Sequence, residues 1–356
     1  MPSPSDTPSP VTWPGADREA AFRRWLAPLV PVHGLVPASL RAASSDASFR
    51  RYLRLDATGA RPSLIVMDAP PPQEDVRPFV AVAAQIERAA LHGPRVLASD
   101  EAHGFLLLDD LGSTLALQVL QDATARGDTA AAERLMREAA TLLVDWQRGI
   151  EATPLPPYDD VLLRRELDLF PQWCLERELG TRWTAEEAAT WRQACDLLVR
   201  SALDQPRLAV HRDFMPRNLM VTPAGLALLD FQDAVHGPIT YDLASLVRDA
   251  FFSWDEATEL DIAVRYWQMA RRAGLPMPED FGEFWRQVEW MGLQRHLKVL
   301  GIFSRLKHRD GKPKYSEDLP RFFAYAHRVA SRYNALRPLG RLLEPLMGAQ
   351  RVEAFY

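Results

Sequence analysis

The chain has 356 residues, 47% hydrophobic and 25% charged, which suits two cores of ordinary domain size and not a disordered polymer. Lys and Arg number 42 against 47 Asp and Glu, a net charge of -5, so no basic field exists to hold a nucleic-acid backbone or an anionic membrane, and a small molecule is the expected partner. No apolar run approaches the roughly 20 residues of a membrane span, the opening lacks the basic and apolar regions of a leader, and Cys174 and Cys195 have neither metal nor disulfide spacing; a cytoplasmic protein with buried thiols is expected.

Residues 1–14 are rich in Pro and Ser and predict a disordered tail. Over 17–29, Ala21, Phe22, Trp25, Leu26 and Leu29 recur at three- and four-residue steps, which predicts an amphipathic helix. Residues 48–55 and 63–67 read as strands separated by the turn formers Asp56, Gly59 and Pro62. A helix over 77–91 stops before Gly93-Pro94, and a third short strand covers 104–108. Together these make a small α+β lobe over 15–111. The remainder, 112–356, reads as mainly helical, over about 128–151, 159–179, 184–203, 240–253, 255–273, 279–306 and 316–335. One irregular island, 207–235, interrupts it with two short apolar runs, at 208–210 and 226–229, and polar loops between and after them.

The island carries the chemistry. It reads HRDFMPRNLMV over 211–221 and then LLDFQD over 228–233. Phosphoryl transfer needs an acceptor that orients the attacking hydroxyl and oxygens that hold Mg²⁺ against the phosphates of ATP. Asp213 suits the first role, and Asn218 and Asp230 the second, an amide oxygen binding the ion without adding charge. An isolated HRD is weak, but HxD(x4)N followed by an apolar strand ending in DF is specific.

This island resembles the catalytic and metal-binding segments of the aminoglycoside phosphotransferase/choline kinase superfamily, and the likeness extends over most of the chain. The resemblance implies a bilobal protein-kinase-like α+β fold, with a β-rich N-lobe that binds nucleotide and a larger helical C-lobe for catalysis and substrate. ITYDLA (239–244) is similar to the family's helix start, which makes Asp242, with His211, the expected brace of the catalytic loop. FLLLDDLG (105–112) is similar to the hinge, where adenine would pair with backbone groups of Asp109 and Leu111.

The small lobe departs from the pattern. Ser44, Ser45, Ser48 and Phe49 lie where a glycine-rich loop would cover phosphates, and the strand holding Val66 continues as Met67-Asp68 where a lysine should stand. A carboxylate facing triphosphate would repel it, so another cation must compensate, and Arg50, Arg51 and Arg54 are the candidates, with Arg51 on the face of Leu53 and Leu55 and Arg50 and Arg54 on the other.

Within the superfamily the segments ASFRRYLRL (47–55), LIVMDAPP (64–71), VHRDFMPRNLMV (210–221), LLDFQDAVHGPITYDLASLVRD (228–249) and GLQRHLKVLGIFSRL (292–306) resemble bacterial anomeric kinases of N-acetylmuramate and N-acetylglucosamine, which serve peptidoglycan recycling. The resemblance implies transfer to a C1 hydroxyl of an amino sugar. Arg212, Gln232 and Asp233 are placed to meet the sugar, and Arg295, His296, Lys298 and Arg305 offer cations for a lactyl carboxylate. Rival readings are another acceptor, such as an aminoglycoside, choline or homoserine, for which the acids Asp255, Glu256, Glu259 and Asp261 could serve, and a pseudokinase that binds nucleotide without turnover.

Overall fold

The structure, a computed structural model, describes residues 11–45 and 49–347, the side chains of Ser44 and Ser45 excepted. In chain order the first elements are α1 (Ala16–Leu26), α2 (Leu29–His33), β1 (Leu35–Ser45), β2 (Arg51–Ala57), β3 (Ser63–Asp68), α3 (Arg77–Arg88), β4 (Val96–Asp100) and β5 (Phe105–Asp109). Helices α4 (Ala116–Ala125), α5 (Thr129–Gly149) and α6 (Asp160–Leu167), a π-helical stretch (Phe170–Glu178) and α7 (Ala185–Leu203) follow. Next come β6 (Arg207–Val210), a 3-10 turn (Pro216–Asn218), β7 (Leu219–Thr222), β8 (Gly225–Leu228) and β9 (Val235–Pro238). The chain continues through α8 (Tyr241–Val247), α9 (Glu256–Arg272), α10 (Phe281–His308), α11 (Leu319–Arg332) and α12 (Arg337–Leu343). No helix of the described residues is long and apolar enough to cross a membrane.

Two units divide the chain, one formed by residues up to Thr114 with Met220–Asp233, the other by Leu115–Leu219 with residues from Ala234 onward. Segment 220–233, expected in the C-terminal lobe, groups with the first unit because its backbone is tied there: Val221 N donates to Thr114 O at 2.8 Å and Leu228 N to His92 O at 2.8 Å.

The first unit is built on an antiparallel five-stranded sheet in the order β1-β2-β3-β5-β4. Period-two alternation sends Leu53, Leu55, Leu64, Val66, Phe105 and Leu107 to one face, where they bury against Phe22 and Leu26 of α1. Of the expected tail 1–14, residues 1–10 lie outside the described residues. Trp13 corrects the rest of that expectation: its ring packs 4.8 Å from that of Phe22, and Thr12 O accepts from Arg51 at 2.6 Å. An indole offers too much apolar area to leave in water beside such a core.

In the second unit α10 is the central element, buried along most of its length and packed on α7, α8, α11 and the π-helical stretch. Gly301 permits a close approach just before the π-helical stretch, since a Cβ there would collide with the backbone of Leu169. Cys174 and Cys195 sit in this core as free thiols, pushed up to about 12 by burial. Trp285 and Trp290 are buried as well, and Trp267 Nε1 donates to Pro278 O at 2.9 Å. Asp255 caps α9 by accepting from Thr258 N at 2.7 Å, and Glu259 is wholly buried in ion pairs, so these two acids hold the fold together.

Candidate active site

The HRD loop leaves β6, which pairs antiparallel with β9. His211 is wholly buried, its ring 5.2 Å from that of Trp146 and 5.8 Å from that of Phe214, and Trp146 Nε1 donates to Ala209 O at 3.0 Å. Asp242, in the first turn of α8, is also wholly buried; its Oδ2 accepts from His211 N at 2.7 Å and its Oδ1 from Arg212 N at 3.0 Å. Both peptide donors would otherwise be orphaned, so one carboxylate fixes the turn that presents Asp213. Burial pushes Asp242 up to about 7, against the pull of those two N–H groups.

Arg212 sits at φ 75°, a left-handed conformation that costs an L side chain energy and is maintained by ties on both sides. Its guanidinium donates to Glu166 Oε1 at 2.6 Å, and Lys298 Nζ reaches the same oxygen at 3.0 Å. Lys298 also donates to Tyr241 Oη at 3.0 Å, and Tyr158 Oη donates to Glu166 Oε2. Burial alone would raise Glu166, but Lys298 and Arg212 hold it at about 2. Arg212 and Lys298, expected at the sugar, therefore have their charges committed to Glu166. No feature of the sequence ties this acid of α6 to a loop 46 positions on, and Glu166 was missed for that reason.

Asn218 ends the 3-10 turn that Pro216 starts, with its backbone N donating to Met215 O at 2.8 Å. Its Nδ2 donates to Asp213 O at 2.9 Å, which turns Oδ1 outward from that bond. Asp213 and Asn218 are thus brought together within the second unit. Asp230 belongs to the first unit and has φ 59°. Gln232 Nε2 donates to its Oδ1 at 2.8 Å, and Arg50 Nη1 lies 3.8 Å from the same oxygen. Gln232, expected at the sugar, is buried against Asp230, whereas Asp233 is exposed.

Each residue by itself suits Mg²⁺ chemistry: the part-exposed carboxylate of Asp230 in the first unit and the amide oxygen of Asn218 in the second are hard oxygen ligands, and this ion commonly takes one or two protein groups plus phosphate oxygens. Among the described residues no group of three or more His, Cys, Asp or Glu side chains forms a cage of its own.

The remaining nucleotide expectations fall in the first unit. Ser44 and Ser45 close β1 opposite Tyr52 and Arg51, Ser48 lies outside the described residues, and Phe49 is 68% exposed. Val66 is corrected: alternation puts it in the core under α1, on the face opposite Met67. Asp68, expected to face phosphate, lies on that same α1 side, 1% exposed and paired with Arg18 and Arg51. Arg54, expected near phosphate, instead clamps the segment after β5, reaching Asp110 Oδ2 at 2.6 Å, Asp110 Oδ1 at 2.9 Å and Gly112 O at 2.8 Å. Asp109 N donates to Arg95 O at 3.2 Å within the sheet, which ends there and leaves Leu111 in the linking segment.

On α10, His296 is wholly buried between Phe322 and Tyr325 and pushed well down by burial. Arg295 is 4% exposed, its Nη1 lacks a hydrogen-bonding partner among the described residues, and the carboxylates of Asp242 and Asp249 lie within its electrostatic reach.

The chain is 52% identical over 310 residues to the N-acetylmuramate/N-acetylglucosamine kinase of Pseudomonas aeruginosa, covering 87% of this chain and 89% of that protein. It is 50% identical over 319 residues to the protein of the same name from Pseudomonas putida, covering 89% and 91%. Among solved structures, choline kinase LicA from Streptococcus pneumoniae superposes with a TM-score of 0.62 at 14% identity over 89% of this chain and all of that one, which shows a shared fold. Residues 39–278 match the phosphotransferase enzyme family, and the chain belongs to that family.

Proposed function

We propose that this phosphotransferase carries the γ-phosphate of ATP to the anomeric hydroxyl of N-acetylmuramate and N-acetylglucosamine, with Mg²⁺ as the metal. The observation that carries the reading is the loop in which Asp242 pins two successive peptide N–H groups and Asn218 is bonded to Asp213 O, in a chain half identical to relatives named for those two sugars.

Asp213 accepts the hydrogen bond of the C1 hydroxyl and orients its lone pair at phosphorus. As the new C1–O–P bond forms, the bond from phosphorus to the bridging oxygen breaks, ADP leaves, and the hydroxyl proton passes late to Asp213. An anomeric hydroxyl is more acidic than an ordinary alcohol, so orientation is the larger part of the task. Asn218 and Asp230 would hold magnesium, which, when bound, supplies charge neutralisation on the phosphates. Arg295, with an unpartnered buried Nη1, is the cation for a lactyl carboxylate. Use of ATP places the protein in the cytoplasm.

The test is a nucleotide-coupled assay with N-acetylmuramate, N-acetylglucosamine, choline and kanamycin, with phosphorus NMR of the product. Phosphate at C1 of the two amino sugars alone is expected. Asp213→Asn should lower kcat by about 10²- to 10⁴-fold. Arg295→Met should lower kcat/KM about 10-fold for N-acetylmuramate and leave N-acetylglucosamine near wild type, since only the first carries the carboxylate. Turnover confined to choline or kanamycin would end the reading.

A further inference from the structure

We propose that Asp249 accepts a hydrogen bond from a donor that both amino sugars carry beside C3, and that with Arg295 it forms the subsite which selects the sugar; the inference rests on the amino-sugar kinase reading above and adds a residue to it. Asp249 lies just past the end of α8, 1% exposed, and its Oδ1 accepts from Ala250 N at 2.6 Å. Its Oδ2 has no hydrogen-bond partner among the described residues. Leaving a buried carboxylate oxygen open is costly, and most such atoms in folded proteins are bonded. Arg248, the preceding residue, bonds Glu259 and Glu289 instead.

Arg295 shows the same incompleteness with the opposite charge. It is 4% exposed, closes no ion pair among the described residues, and its Nη1 has no hydrogen-bond partner there. Arginines this deeply buried are ordinarily paired. Burial raises Asp249 to about 6, against the pull of Arg295 and of the peptides of Ala250 and Phe251, so above that pH it is an acceptor.

Both residues belong to the second unit, with the loop that presents Asp213. Asp242, which pins that loop, feels the charges of Asp213 and Arg295 alike. Arg217, one residue before Asn218, acts on Asp249 and holds its guanidinium 4.6 Å from the ring of Phe251. N-acetylmuramate carries its lactyl carboxylate on O3. With Arg295 on that carboxylate, Asp249 is left to the donors that flank C3, the acetamido N–H at C2 and the hydroxyl at C4, which both sugars share. Asp249 thus holds the common part of the two substrates, and Arg295 holds what one of them adds.

The experiment combines steady-state kinetics, calorimetric binding of each sugar to the full chain, and melting curves. In Asp249→Asn the amide oxygen can stay on Ala250 N while the NH₂ replaces Oδ2, so a donor opposes the sugar's own donor. This variant should raise KM about 10- to 100-fold for N-acetylmuramate and N-acetylglucosamine alike, with a smaller fall in kcat and the KM for ATP unchanged. Glucose, which lacks the acetamido group, and 4-deoxy-N-acetylglucosamine identify the donor: the one that carries it should lose further in Asp249→Asn, and the one that lacks it should not. Equal further losses for both would overturn the inference. So would a loss confined to N-acetylmuramate, which would mean that Asp249 acts only through Arg295, or wild-type KM for both sugars in the folded variant; each leaves the kinase reading intact. Binding of both sugars that depends on Asp249, in a wild-type chain that phosphorylates neither, would uphold the subsite and overturn that reading.

Discussion

Two buried ion networks lie along α10, and they have opposite makeups. One centres on a cation: Arg248, wholly buried, bonds Glu259 at 3.0 Å and Glu289 at 2.9 Å, and Arg328 and Arg332 close it from α11. The other centres on an acid, Glu166, between Arg212 and Lys298, and the charge of Asp213 bears on both of those cations. With Glu256 on Arg332, the first sets three cations against three acids and serves packing. The second sets two cations against one acid and leaves one positive charge over beside Asp213, so a buried network reveals its task by what it leaves over.

The sharpest way to break that comparison is Arg248→Met, which removes the wholly buried cation that Glu259 and Glu289 share and leaves each with one part-exposed arginine. It should cost about 3–5 kcal/mol of stability in denaturant titrations and leave kcat per folded molecule unchanged. Glu166→Gln should do the reverse, costing about 2 kcal/mol because Arg212 and Lys298 keep some solvent, yet lowering kcat about 10- to 100-fold as the loop loses its tie. Equal losses of stability and activity in the two variants would erase the distinction.

A smaller effect is read through pH. Burial raises Asp249 from 3.8 to about 6, so the native state keeps a proton that the unfolded chain has released. That contribution to stability is full below pH 3.8 and is lost as pH rises through about 6, so Asp249→Asn should gain on wild type across this interval, by at most about 1.4 kcal/mol per pH unit. Glu166, lowered from 4.5 to about 2, has the opposite sign: its contribution is present above pH 4.5 and lost as pH falls toward about 2. Melting temperatures of both variants against pH check the two signs.

The loop over 211–218 was legible as a unit because its residue types recur at fixed spacing, and the bonds of Asp242 to two successive peptides and of Asn218 to Asp213 O show it folded as one turn. Strands β1 and β4 were not legible. The first, LVPASLRAASS, carries a proline and small residues and has register shifts against β2, so no alternation survives. The helix expected over 159–179 gives way after Leu167 to a π-helical stretch with Pro171 in its first turn, and the one over 240–253 ends at Val247. Asp68 was misread for a different reason. Alternation tells which residues share a face, and only the placement of α1 tells which face is inside. Buried charges such as Arg248 and Glu259 escape a local reading, because each also has a partner far along the chain, Glu289 for the first and Arg328 for the second.

The anchoring of Asp68 reaches beyond its own strand. Arg18 ties it to α1, and Arg51, stacked on Trp13 with its guanidinium 4.8 Å from the ring, ties it to the segment before that helix. Removing Thr12 and Trp13 would therefore strip the cover from one of the two arginines that hold this hidden acid. The segment from Thr12 to Arg18 thus braces the buried end of β3 from outside the sheet, and a rigid fusion at that point would be felt in the strand before it was felt at the surface.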